Sequence, residues 1–182
     1  MRVIPSLIHT TNSNAERKVF QLLKALDLGP GWTAYHSLNV SEHQYKQWSE
    51  LDFVVVGPEG IFVLEIKGGR VACQNGIWSF TDRYGQVHKK SEGPFKQAES
   101  GMYALRDKIS GKHGAGWQDR VKIGWGVVFP DITFLVPSPE MPKEVICDER
   151  YIKNVDEFGK YFRRLIKYWA GKGRKLSAID AD

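Results

Sequence analysis

The sequence predicts a single α/β domain, and three observations predict it. Two runs rich in β-branched and aromatic residues, Leu51 to Val56 and Ile61 to Ile66, flank Gly57-Pro58-Glu59-Gly60, the pattern of a β-hairpin. Val121 to Phe129 is apolar nearly throughout, as a strand buried on both faces is. Segments with helical periodicity stand before, between and after these strands.

Taken in order, Asn12 to Leu26 repeats Val19, Leu22, Leu23 and Leu26 at helical spacing, and Gly29-Pro30-Gly31 stops it. Trp32 to Val40 follows as a strand of mixed character, and Ser41 to Ser49 as a polar loop. The hairpin comes next. Shorter strand-like pieces surround Ile77-Trp78-Ser79-Phe80 and Gln86-Val87-His88, joined by a turn with Asp82 and Gly85. A second helix starts at Pro94, since proline suits the first helical position, and aligns Phe95, Ala98, Met102, Leu105 and Ile109 on one face. Gly111 to Trp117 ends it, the buried strand follows, and Pro130, Pro137, Pro139 and Pro142 mark an irregular connection. The last helix, Val155 to Ala170, turns Phe158, Phe162, Leu165, Ile166 and Trp169 inward and Lys160, Arg163, Arg164 and Lys167 outward. Residues 1–170 therefore read as one domain and 171–182 as a polar tail or linker.

At 182 residues with 42% hydrophobic and 26% charged side chains, the chain can bury a core without disulfides or a structural metal. Its two cysteines, Cys73 and Cys147, sit in no metal-binding spacing, and no run is long and apolar enough to span a membrane. A cytoplasmic protein is expected. The net charge of +5 favours an anionic partner such as nucleic acid, although charge speaks to association and not to fold. The five histidines show no paired ligand spacing, and no phosphate-cradling G-x-x-x-x-G-K-[ST] is present.

A turn centred on Pro58-Glu59 sets Val54 opposite Val63, Asp52 opposite Glu65 and Glu50 opposite Lys67, all on one face. Directly opposed carboxylates repel unless one is protonated or a cation lies between them. A divalent metal with oxygen ligands answers this, Mg²⁺ typically taking one or two carboxylates plus water and substrate phosphate. Lys67, beside them, is suited to orient or deprotonate water, which points to metal-assisted phosphodiester hydrolysis. The alternative is a solvated hairpin end in which Glu50 and Lys67 pair and Lys67 screens the other two.

The run Glu50 to Gly68, ELDFVVVGPEGIFVLEIKG, resembles the core of the nuclease-related domain (NERD) family of the PD-(D/E)XK, restriction-endonuclease-like superfamily. Glu16, Pro94-Phe95-Lys96-Gln97 with Leu105-Arg106, and Val127-Val128-Phe129-Pro130 extend the resemblance over residues 12 to 168. Leu51 stands where the superfamily name has proline, a departure usual for this family. The resemblance implies a central mixed β-sheet flanked by helices, Asp52 and Glu65 as metal ligands, Lys67 as the catalytic lysine, and Glu16 and Gln97 as accessory groups at the rim. It further implies action on DNA with Mg²⁺, or Mn²⁺ in its place, with RNA as the other polymer and a helicase as partner or fused domain. Relatives with this fold also include binding-only modules, so a catalytically silent nucleic-acid-binding or helicase-recruiting domain is the alternative.

Two of these residues carry a second reading. Ser13-Asn14-Ala15-Glu16 fits a capping box, in which Glu16 serves the helix start. Gln97 lies in the first turn of its helix, suited to a phosphate, a water or plain solvation. Lys89, Lys90 and Lys96 form a basic stretch ahead of the second helix, either a phosphate-binding surface or a solvated loop. Most of the six tryptophans are expected in the core, base stacking requiring that they be exposed.

Overall fold

The computed structural model describes residues 1–8, 13–40, 49–82, 84–134 and 140–172. Of the expected loop, Ser41 to Ser49, residues 41–48 with Trp48 lie outside the described residues and Ser49 opens a strand; of the expected tail, 171–182, the first two residues close the last helix and 173–182 lie outside the described residues.

Six strands form a mixed sheet in the order β1 (Arg2–Ile4), β2 (Thr33–Val40), β3 (Ser49–Gly57), β4 (Gly60–Ile66), β8 (Ile123–Phe129) and β9 (Ile146–Asp148). β3 runs antiparallel to both of its neighbours, β2 and β4, whereas β1 pairs with β2, β4 with β8 and β8 with β9 in parallel. A separate antiparallel sheet holds β5 (Arg70–Gln74), β6 (Ile77–Thr81) and β7 (Val87–Lys90). The helices are α1 (Asn14–Ala25), α2 (Pro94–His113) and α3 (Val155–Lys172). Mixed sheet and flanking helices are thus as the sequence implied. The three-residue strands β1 and β9 escaped it, being too short to show a period.

Register and contacts give three layers. Phe53 pairs with Leu64, and Phe62 two residues earlier touches the ring of Phe162, so α3 covers the face that carries Phe53, Phe62 and Leu64. α1 lies on the same face, with Phe20 against His36 and His36 against Phe53. The Val63 face belongs to α2, whose Phe95 meets Trp125 edge-on; Trp125 pairs with Val63. Close approach is bought with glycine: a Cβ on Gly126 would lie 2.3 Å from the Tyr161 hydroxyl of α3. Trp32, Trp78, Trp117 and Trp125 are all buried.

The hairpin turns where expected, pairing Gly57 with Gly60 and Val54 with Val63, but its ladder stops at Phe53–Leu64. The facing of Asp52 by Glu65 and of Glu50 by Lys67 is therefore not realised as ladder pairs; Glu50 pairs with Asn39 of β2 instead. On the other side, β2 and β3 pair at His36–Phe53 and Leu38–Leu51 but not between Ser37 and Asp52. Ser37 has φ +54°, a left-handed conformation that interrupts strand alternation. Beyond it, a methyl on Gly101 of α2 would meet Leu51 Cδ2 at 2.6 Å and Val63 Cγ1 at 3.8 Å. Unbroken alternation would have sent Leu51 with Phe53 to the opposite face. The sheet forks at Asp52.

Candidate active site

The fork replaces a ladder bond with a side chain. Asp52 Oδ2 accepts the N–H of Ile66 at 2.7 Å, which satisfies the backbone donor that β3 no longer reaches and fixes the carboxylate at the end of β4, where Ile66 stands between Glu65 and Lys67 in sequence. The Lys67 N–H is in turn held by the Val128 carbonyl of β8 at 2.9 Å. Lys67 Nζ lies 2.6 Å from Glu65 Oε1, both side chains largely buried. Asp52, Glu65 and Lys67 are thus brought together, by a route other than facing pairs.

Burial pushes the Asp52 carboxyl up to about 8, helped by Glu65 and, more weakly, by Glu16; the Ile66 N–H and Lys67 pull the other way. Glu65 is raised as well, again by burial first, with Glu16 and Glu92 adding to it. Its short contact with Lys67 opposes the shift without cancelling it, because one ammonium is set against several carboxylates. One ammonium here faces several carboxyl groups, whose retained protons a bound cation would displace.

Glu16 serves the cap through its backbone N–H, and its side chain turns toward His36. Ser13 caps α1 by accepting the Glu16 N–H at 3.2 Å, while the Glu16 carboxylate takes His36 Nε2 at 3.0 Å and acts on both Asp52 and Glu65. His36, 5% exposed, was missed as a site residue because only the pairing of β2 with β3 brings it beside Phe53 and under α1. Glu92, just before α2, was missed likewise. The signal available for it was its closeness in sequence to Gln97.

Gln97 stands one turn before Gly101 on α2, on the sheet-facing side and toward the end where Glu92 acts on Glu65. Its Oε1 is buried with no hydrogen-bond partner among the described residues. A buried carbonyl oxygen without a donor calls for water, a cation or a substrate proton. The basic stretch divides. Lys89 and Lys90 alternate on β7 and point to opposite faces, and Lys96 is engaged by Glu99 at 3.0 Å. A cleft of about 870 Å³ beside α2 is lined by Trp78, Glu92, Phe95 and Trp125, and by none of Asp52, Glu65 and Lys67.

Among the described residues, no group of three or more His, Cys, Asp or Glu side chains forms a metal-holding cluster, and no helix is long and apolar enough to cross a membrane. The fit to a hard divalent cation rests on the smaller set. Asp52 and Glu65 offer oxygen donors only, in a pocket where one lysine faces several carboxyl groups, and Mg²⁺ characteristically uses one or two carboxylates.

The model of the nuclease-related domain (NERD) family matches residues 11–130, about two-thirds of the chain. That match stops short of residue 168, to which the resemblance in sequence was read. No curated protein and no solved structure matches the chain significantly.

Proposed function

The chain belongs to the nuclease-related domain family, whose association is with nucleic acid, and from that premise we propose that it hydrolyses phosphodiester bonds of DNA with a bound divalent cation. The observation that carries the proposal is the fork at Asp52. A carboxylate drawn out of the ladder and fixed beside Glu65, with Lys67 as the one cation in contact among the described residues, costs stability and serves no packing purpose. Asp52 and Glu65 hold the metal in this reading. Mg²⁺, or Mn²⁺ in its place, would polarise the phosphate and make bound water more acidic.

The chain's own groups do the rest. Lys67, largely shielded from solvent, offers its ammonium to negative charge that develops on the phosphate and orients the attacking water. Gln97 Oε1, lacking a donor among the described residues, is suited to accept a hydrogen bond from that water and so orient it. Glu16, anchored by His36, adds negative potential that favours cation uptake. Titrating Mg²⁺ and Mn²⁺ into wild type and Asp52→Asn, with labelled supercoiled and single-stranded DNA as substrates, tests this. Cleavage that needs metal and is lost in the variant is the expected result; equal cleavage by both proteins overturns the assignment.

A second reading, nucleic-acid binding without cleavage, is favoured by one observation: the lack of a three-carboxylate metal cluster among the described residues. It predicts salt-sensitive binding that survives Asp52→Asn and no cleavage with any divalent metal. A helicase, as partner or as fused domain, remains part of the proposal in either reading.

A further inference from the structure

The three-stranded sheet β5–β7 grows out of the candidate active site at both ends. β5 begins three residues after Lys67, and β7 runs through Ser91-Glu92-Gly93 into the helix that carries Gln97. Its root is clamped. Asp131 Oδ2 accepts the Gly69 N–H at 2.9 Å while its other oxygen binds Lys18 of α1 at 2.6 Å. Gly69, at φ +75°, has no room for a Cβ, which would sit 2.4 Å from the Thr81 carbonyl. The Cα of Arg70 therefore stands no more than about 11 Å from that of Lys67.

The two faces of this sheet differ in kind. Val71, Trp78 and Phe80 form the inward face, Trp78 stacking on Phe134 and packing against Phe95. Arg70, Gln74, Ser79, Thr81 and Lys89 mark the outward face, together with Ala72 and the exposed apolar side chains of Ile77 and Val87. Its strands carry no acidic residue and no aromatic ring there; the exposed Tyr84 belongs to the β6–β7 turn. Several cations are tied up, Lys18 to Asp131, Lys96 to Glu99 and Lys160 to Glu157, whereas Arg70 and Lys89, like Lys90, make no ion pair among the described residues. From the register, two strands and two residues separate them, about 12 Å between Cα atoms.

We infer that the outward face of β5–β7 is a docking platform for the phosphate backbone of duplex DNA, with Arg70 and Lys89 as its two phosphate contacts, holding the duplex beside Asp52, Glu65 and Lys67. The inference rests on the nuclease reading only for why the duplex is held there. Single-stranded nucleic acid is captured by stacking its bases on aromatic side chains, and this sheet turns all its strand aromatics inward. What it offers instead is positive charge with hydroxyl and amide groups, the chemistry of backbone contacts that position without reading sequence. Lys90 supplies an internal comparison: adjacent, equally charged and exposed, but on the other face.

Binding of a duplex of about 20 base pairs, followed by fluorescence anisotropy in chelator between roughly 50 and 200 mM salt, tests the platform. Arg70→Gln/Lys89→Gln should lower the slope of log K against log salt by roughly 2, about 0.9 for each phosphate that the protein no longer neutralises. Lys90→Gln should leave that slope unchanged, and single-stranded DNA should compete weakly. An unaltered slope in the double variant, or an equal fall with Lys90→Gln, overturns the platform. Cleavage is scored separately with Mg²⁺. A protein that cleaves while the double variant keeps its slope loses the platform alone, and one that binds through it yet never cleaves loses the nuclease reading alone.

Discussion

Replacing Asp52 with asparagine should make the metal-free protein more stable, and by an amount that grows with pH. Its carboxyl is raised from 3.8 to about 8 in the folded chain, chiefly by burial and by Glu65. Between those values the unfolded chain has released the proton and the folded chain has kept it, so stability present below pH 4 is lost as pH rises toward 8. At pH 7 the gap of about 3 units, at 1.36 kcal/mol each, amounts to on the order of 4 kcal/mol. Partial exposure of the side chain reduces this toward about 2 kcal/mol. Asparagine is uncharged throughout and keeps an oxygen for the Ile66 N–H, so the variant escapes the loss. Thermal unfolding in chelator from pH 4 to 8.5 reads it directly. The two proteins should coincide near pH 4, and the variant should melt roughly 5 °C higher, or more, near pH 8. Groups remote from Asp52 cancel in the difference, and the relief of its repulsion with Glu65 adds to the gain. A variant no more stable than wild type at pH 8, or a difference that stays flat between pH 5 and 8, refutes the reasoning. If the cation proposal also holds, saturating Mg²⁺ should raise the melting temperature of wild type and leave Asp52→Asn unmoved.

Lys67→Ala should lower DNA cleavage by about 100-fold or more while the circular dichroism spectrum is preserved, since the ammonium contacts Glu65 and the side chain stands outside the apolar core; full activity in the variant would sink the lysine's role. His36→Ala should cost about 2 to 3 kcal/mol in denaturant unfolding, from the cavity between Phe20 and Phe53 and the freed Glu16 carboxylate. His36→Gln, which keeps a donor, should restore more cleavage than it restores stability. Gly57→Ala should destabilise by about 1 to 3 kcal/mol, because its Cβ would come 2.2 Å from the Trp32 ring in a region remote from the carboxylates; its midpoint should shift with catalytic constants unchanged.

How much of this the sequence disclosed depends on how local each feature is. The hairpin, the Pro94 helix start and the apolar Val121–Phe129 run are written in consecutive residues, and the structure has all three within about two residues. The helix Val155–Lys172 likewise announces its buried face through Phe158, Phe162, Leu165 and Ile166. Strand order is another matter. Nothing in the chain says that β8 pairs with β4 rather than with β2, and that pairing is what lets the Val128 carbonyl hold Lys67 in place. The second sheet also went unrecognised as a unit, because β5 is a five-residue strand whose outward residues are polar and small.

The candidate site is where regular rules carried forward named residues that the structure brings together by a different geometry. Extending the hairpin's alternation predicted Asp52 facing Glu65 across the ladder, and the two do interact, but only because the ladder ends one residue earlier. Had it continued, Ile66 would have bonded to β3 backbone and the Asp52 side chain would have stood over one face, accessible to groups from α2 alone. Instead the carboxylate replaces a backbone partner at the point where Ser37 breaks the strand on its far side. Glu16 from α1 then acts on Asp52, while Gln97 stands on the opposite face of the sheet, one turn from the Gly101 that packs against Leu51. A break in local regularity that brings buried charge together from two layers lowers stability wherever it occurs. The stability gain predicted for Asp52→Asn is the measure of that cost, and the metal-dependent cleavage predicted to vanish with it is what the cost sustains.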